Sequence, residues 1–203
     1  MGLKALLSGL ALCLPVARAF LPPCPHLTHK NARLPILLQA GGSLEDSIPA
    51  HYLESQTVEW MQAILDGYKE ASGGEDLIER EGLTAREQAA KVAVLDVAVL
   101  SHDLLRNPAD ATYCYGNLSA LKTFEYSWDE FVVLPSRYCV ATKKEEDSRE
   151  SSLSKARKKR ESIEEVGTRV TKSGRLFDIT AVVWNVLGED GTVVGQAATC
   201  RVR

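Results

Sequence analysis

Apolar residues first recur at helical spacing over residues 56–71, where Val58, Met61, Leu65 and Tyr68 share one face with Trp60 and Ile64 beside them. Ser72-Gly73-Gly74 then supplies a stop, so the spacing predicts an amphipathic helix. Thr84 and Glu87 form a Thr-x-x-Glu capping box, in which each side chain satisfies a free backbone donor of a first helical turn. A second helix is expected from there into Val92. Over residues 94–100 the helical period gives way to a β-branched run, closed by Ser101-His102-Asp103. A short strand is expected over 97–102, although a run of this length also fits a buried helix.

Asn107-Pro108-Ala109-Asp110 reads as a loop, followed by an aromatic strand over 112–115 and a Gly116-Asn117 turn into a short helix over 118–124. Residues 128–134 read as another helical turn or two, stopped by Pro135. Residues 143–161 hold eight Lys or Arg and five Asp or Glu, with only Leu153 and Ala156 apolar, so a solvated helix or loop is expected. The same reading covers the basic cluster 155–160, because acids adjoin it and no aromatics are interleaved. The last forty residues read as strands over 167–171, 175–187 and 192–202, the final two joined by Gly188-Glu189-Asp190-Gly191 with its Asp-Gly hairpin signal. This order gives an α+β chain with helices on one face of an antiparallel sheet.

Composition narrows the class. With 203 residues, 45% hydrophobic and 25% charged, the chain has room for one ordinary domain or two very small ones, and a disordered or collagen-like polymer is excluded. The formal charge of −3 is uneven, because no Asp or Glu precedes Glu45. Four of the 24 basic residues, Lys4, Arg18, Lys30 and Arg33, fall in that acid-free start. From Glu45 onward 20 basic residues face 27 acidic ones, a charge of −7, which argues against nucleic acid as a partner.

Residues 5–16 are apolar, about the length of a signal h-region and too short to span a bilayer as a mature helix, so no mature transmembrane segment is expected. The small-residue site Ala17-Arg18-Ala19 would leave Phe20 at a new N-terminus. A signal peptide over 1–19 followed by an acid-free, Phe-initiated segment over 20–43 resembles the bipartite plastid-targeting presequences of algae with secondary plastids. Plain secretion is the alternative. Past it remain Cys114, Cys139 and Cys200, an odd number with no CxxC pair and no His at metal spacing, so neither a disulfide framework nor a metal site is expected.

A family resemblance is carried by Tyr115-Gly116-Asn117, Ala120-Leu121, Phe124-Glu125, Ser127-Trp128-Asp129-Glu130-Phe131, Leu134-Pro135-Ser136-Arg137, Arg169, Ser173-Gly174-Arg175, Val183-Trp184-Asn185-Val186, Asp190-Gly191 and Gly195-Gln196-Ala197-Ala198-Thr199. In this order and at this spacing they resemble the successive blocks of the MEKHLA domain. With Trp60, Tyr68, Gly73-Gly74 and Leu100-Ser101-His102 the resemblance extends over residues 52–203. It is to the stand-alone type of cyanobacteria and algae, since no heptad run or homeodomain helix accompanies it. The resemblance implies a PAS-like five-stranded antiparallel sheet cupped by short helices, with the N-terminal amphipathic helices in addition. It also implies a small-molecule pocket between sheet and helices, sensing or protein contact as the role, and no enzymatic activity. It assigns no cofactor.

Under that resemblance Tyr115, Asn117, Phe124, Trp128, Arg137, Trp184 and Gln196 are the candidate pocket residues. Each also has an ordinary structural use. Tyr115, Phe124, Tyr126, Trp128 and Trp184 suit a core through buried area alone. Asn117 suits a helix cap, and Arg137 an ion pair with Glu125, Asp129 or Glu130. Gln196 lies among small residues, Gly195 and Ala197-Ala198, where a helix or a flat ligand can approach closely. Flavin-binding PAS relatives read the ring edge with a strand Gln, but they also need an Asn-Cys-Arg-Phe-Leu-Gln-like helix, and Cys139 after Pro-Ser-Arg-Tyr sits in no such motif. His102 beside Asp103 has no nucleophile or oxyanion motif nearby, and a satisfied structural role is expected. A hotdog-type acyl thioesterase or dehydratase is the competing reading, because residues 175–202 also fit that fold's paired C-terminal strands.

Overall fold

The computed structural model describes residues 43–105, 110–159 and 161–203. The leader segments expected over 1–19 and 20–43 lie outside the described residues, apart from Ser43, as do Asn107, Pro108 and Ala109 of the expected loop. Helix α1, Ser55–Ala71, buries Val58, Met61, Ile64, Leu65 and Tyr68. Helix α2, Ala85–Ala93, opens with the expected reciprocal cap: the Thr84 amide donates to the Glu87 carboxylate at 2.7 Å, and the Glu87 amide donates to Thr84 Oγ1 at 3.3 Å.

Five strands follow: β1 (Ala98–Asp103), β2 (Thr112–Gly116), β3 (Ile163–Val170), β4 (Leu176–Leu187) and β5 (Val193–Val202). They form one antiparallel sheet in the order β2-β1-β5-β4-β3. Strand β3 begins four residues before the expected start at Gly167. Its charged Glu164 and Glu165 hid the pattern: Glu164 is exposed on this edge strand, and Glu165 points to the opposite face, where it is the buried ion-pair partner of Arg169. Between β2 and β3 come α3 (Leu118–Phe124), α4 (Trp128–Phe131), a 3₁₀ turn at Ser136–Cys139 and α5 (Lys143–Lys159).

The period of two along β4 divides the molecule into two cores. Val182, Trp184 and Val186 point to α1 and α2, whereas Ile179, Ala181 and Val183 point to the side of Phe124, Phe131 and Leu153. The short helices therefore share one face, and the N-terminal helices cover the other. Helix α1 crosses β4 at Gly67, where a Cβ would stand 2.3 Å from the Asn185 carbonyl oxygen, so only glycine permits the approach. The small run at Gly195 serves the same end. A Cβ there would lie 2.9 Å from the Trp60 ring, so a helix occupies the close approach that the sequence leaves open to helix or ligand. Among the described residues no helix is long and apolar enough to cross a membrane.

Candidate functional site

On the short-helix face, three buried polar side chains stand in one row across three strands. His102 on β1 pairs in register with Gln196 on β5, and Gln196 pairs with Asn185 on β4. Such a row in an apolar core costs free energy unless each group finds a partner. Helix α5 provides two. Gln196 Nε2 donates to the Leu153 carbonyl at 3.1 Å and to Asn185 Oδ1 at 3.2 Å, and Asn185 Nδ2 donates to the Ala156 carbonyl at 2.9 Å. The two apolar residues of that charged run, Leu153 and Ala156, are buried at the same place. The run is thus a helix with a solvated outer side whose one narrow apolar edge is clamped to the sheet by carboxamides.

The third member of the row has no such arrangement. His102 is 3% exposed, and among the described residues neither ring nitrogen has a hydrogen-bond partner; Gln196, 1% exposed, leaves its Oε1 unpartnered among them as well. None of the described residues fills the satisfied role expected for His102. Both residues line a chamber of about 30 Å³ between the sheet and α5, with Tyr113, Phe124 and the inner ends of β3 to β5 around it. His102, Arg149 and Leu153 are shared with an adjoining chamber of about 150 Å³ that reaches α5 and the 3₁₀ turn. Burial, with the Arg149 and Arg157 charges adding to it, pushes the His102 pKa down to about 3, so the ring is neutral and offers one donor and one acceptor.

The acids and bases around the chambers are mostly paired. Arg169 meets Glu165 at 2.5 Å in a buried pair, Arg157 meets Glu150 at 2.6 Å, and Lys143 lies 3.2 Å from Glu146 and 3.3 Å from Asp147. Arg137 pairs with Asp110 and donates to the Tyr138 hydroxyl at 3.1 Å. Two of its three expected partners are engaged elsewhere: Glu125 holds Ser173 and Arg175 across the β3–β4 turn, and Glu130 holds Lys172. Arg149 faces both chambers with no ion pair or hydrogen bond among the described residues.

The candidate pocket residues divide accordingly. Phe124 and Gln196 line the inner chamber and Arg137 the outer one. Tyr115, Trp128 and Trp184 pack in the other core, with α1 and α2. Trp184 Nε1 donates to the Ile64 carbonyl at 2.9 Å, and Trp128 stacks on His51 with centroids 4.1 Å apart. Asn117 is fully engaged: Oδ1 caps α3 at Ala120 and accepts from Val99, while Nδ2 donates to the Val92, Leu95 and Val97 carbonyls. Tyr113 stands on the chamber side, although strict alternation would put it on the same face as Tyr115. The register shifts between Ser101, opposite Tyr115, and His102, opposite Tyr113, so Cys114 is an extra residue. This β-bulge re-aims the strand beside the site.

Cys200 lines the inner chamber and Cys139 lines neither; burial pushes each thiol up to about 12, which makes both poor nucleophiles. A volume near 150 Å³ suits a benzene-sized molecule, far below a tricyclic flavin. The chambers under α5 therefore do not fit flavin or cysteinyl-adduct chemistry. Among the described residues no group of three or more His, Cys, Asp or Glu is placed to hold a metal ion.

Comparison with known proteins agrees with this architecture. No curated protein matches the chain. The PAS domain of a protein from Colwellia psychrerythraea is similar in fold, with a TM-score of 0.50 at 17% identity over 58% of this chain and 95% of that one. An RNA-binding light-oxygen-voltage receptor gives a TM-score of 0.52 at 14% identity over 63% of this chain and 35% of that one. At such identities the likeness is one of fold, and it is to PAS domains, which leaves the hotdog reading without support. Residues 58–202 match the MEKHLA domain, so the chain belongs to the MEKHLA domain family.

Proposed function

We propose that this protein is a non-enzymatic, PAS-like sensory module that binds a small molecule in the chambers beneath α5 and passes its bound state to a partner protein. The observation that carries this reading is a pair of buried side chains whose polar atoms, both ring nitrogens of His102 and Oε1 of Gln196, find no partner among the described residues, on residues that line the inner chamber. Native proteins rarely leave such groups orphaned, and a ligand that reaches them supplies hydrogen bonds that no described residue makes. The same row fastens α5, so occupancy beside it biases how firmly that helix is held.

Native mass spectrometry of the gently purified full chain tests the reading. A non-covalent adduct of a few tens to a few hundred daltons is expected, lost when Leu153→Trp fills the space. A bare mass in both proteins, with no small molecule able to raise the melting temperature, would sink it. The reading extends to a plastid location, supported by the acid-free leader. A fluorescent fusion of the full chain is expected to label the plastid in an alga with secondary plastids, and signal in the medium would mean secretion instead.

A further inference from the structure

The unpartnered groups around the two chambers specify a chemistry. Arg149 presents a guanidinium fork that none of the described residues meets, and this geometry suits a carboxylate. Deeper in, the Gln196 amide is fixed by its two donated bonds, so its free Oε1 can only accept. Neutral His102 adds one acceptor and one donor between them. A molecule that completes the set carries an anionic group at one end and a hydrogen-bond donor next to it.

The donor is a hydroxyl and not an ammonium. Every acid on the chamber walls already has a cationic partner: Glu165 has Arg169, Asp110 has Arg137, Glu150 has Arg157, and Glu146 and Asp147 share Lys143. Among the described residues a buried ammonium would find no carboxylate without a cationic partner, and an unpaired buried charge is costly. The larger chamber, about 150 Å³, suits a ligand on the scale of six heavy atoms.

We infer that the site beneath α5 binds a small 2-hydroxy acid of about the size of lactate, its carboxylate on Arg149 and its hydroxyl turned toward His102 and Gln196. This rests on the ligand-binding reading above and narrows it to one chemical class. Binding would bridge α5, through Arg149, to the polar row of the sheet.

Isothermal titration of the full chain with glycolate, both enantiomers of lactate, propionate and L-alanine tests the inference, since the last two replace the lactate hydroxyl by hydrogen and by ammonium. The expected result is saturable binding of a hydroxy acid, about tenfold weaker binding of propionate because the inner acceptors stay unpaired, and still weaker binding of L-alanine. Arg149→Met, on the partly exposed side of α5, is expected to weaken the hydroxy acid at least about tenfold without loss of fold. His102→Phe provides a second, independent reduction. Equal affinity for L-alanine would overturn the hydroxyl assignment, and unchanged affinity in both variants would overturn the site. No binding by any of the five, with an adduct still present in native mass spectra, would overturn the acid class while leaving the ligand-binding reading standing. Bare protein by both measurements would sink both.

Discussion

His102 and Gln196 are direct cross-strand partners on β1 and β5, yet the side chain of Gln196 is tied to a helix and that of His102 to none of the described residues. The Gln196 amide reaches the Leu153 carbonyl of α5, while both His102 ring nitrogens are buried with no partner among the described residues, on a residue that lines both chambers. Helix α5 carries little apolar surface of its own, so its attachment depends heavily on this polar row. The unpartnered ring and the anchor of α5 therefore belong to one cross-strand pair.

The buried imidazole makes stability depend on pH in a defined window. The folded pKa of His102 is about 3, against 6.5 for an unperturbed ring, so between these values the unfolded chain binds the extra proton. Its contribution is thus present above about pH 6.5 and is lost progressively as pH falls. Glu125 and Glu130, held at about 2 chiefly by the Ser173 and Lys172 hydrogen bonds respectively, act in the same direction but only below about pH 4.5. His102→Phe is expected to lose about 2 kcal/mol less than the wild type between pH 6.5 and 5, measured by urea denaturation. Parallel curves for the two proteins would contradict the buried, neutral assignment.

Gln196→Leu keeps the shape of the side chain and removes both donated bonds, leaving Asn185 Oδ1 unpartnered. A global cost of about 1–3 kcal/mol is expected. The effect should be local: amide exchange is expected to rise across Lys143–Lys159 before it rises in β4 or β5. Uniform acceleration throughout the sheet would show that α5 is not the element this residue holds.

Asn117→Ala is expected to be far more damaging, because one side chain joins the start of α3 to the segment between α2 and β1. Its loss strands several buried backbone groups, so at least about 3 kcal/mol should disappear in chemical denaturation. A change below about 1 kcal/mol would mean that water or a neighbour replaces these bonds.

Thiol chemistry separates a structural from a reactive role for the cysteines. Cys139 and Cys200, both pushed up to about 12 by burial, are expected to resist alkylation at pH 8 in the native protein and to label fully on unfolding. Peptide mapping by mass spectrometry reads this directly. Rapid native labelling of Cys200 would mean that the chambers open readily to solvent.

Much of the fold was legible because its signals are local. The helical spacing of Val58, Met61, Leu65 and Tyr68, the Thr84–Glu87 box and the Asp-Gly hairpin each specify an element without reference to the rest of the chain. The site was less legible because it depends on faces. Gln196 and Phe124 were named from sequence and line the inner chamber, but Tyr115 and Trp184 point into the other core. The bulge at Cys114 decides which tyrosine faces which side, and nothing in Thr112-Tyr113-Cys114-Tyr115 marks an extra residue. Arg149 was hidden inside a mixed-charge run, and His102, 94 residues from Gln196 in sequence, gains its meaning only from strand register. The run around Leu153 and Ala156 did carry a clue, since these two apolar residues three apart share a helix face.

The most direct measurement is the side-chain nitrogen NMR of His102 in the full chain, titrated with pH and then with a hydroxy acid at pH 7. The ring is expected to stay neutral down to about pH 4, with both nitrogen shifts moving on addition of lactate and His51 unmoved by the ligand. A His102 that titrates near pH 6.5 and ignores every hydroxy acid would contradict the buried, ligand-facing assignment, because the ring would then be neither shielded from water nor in contact with a ligand.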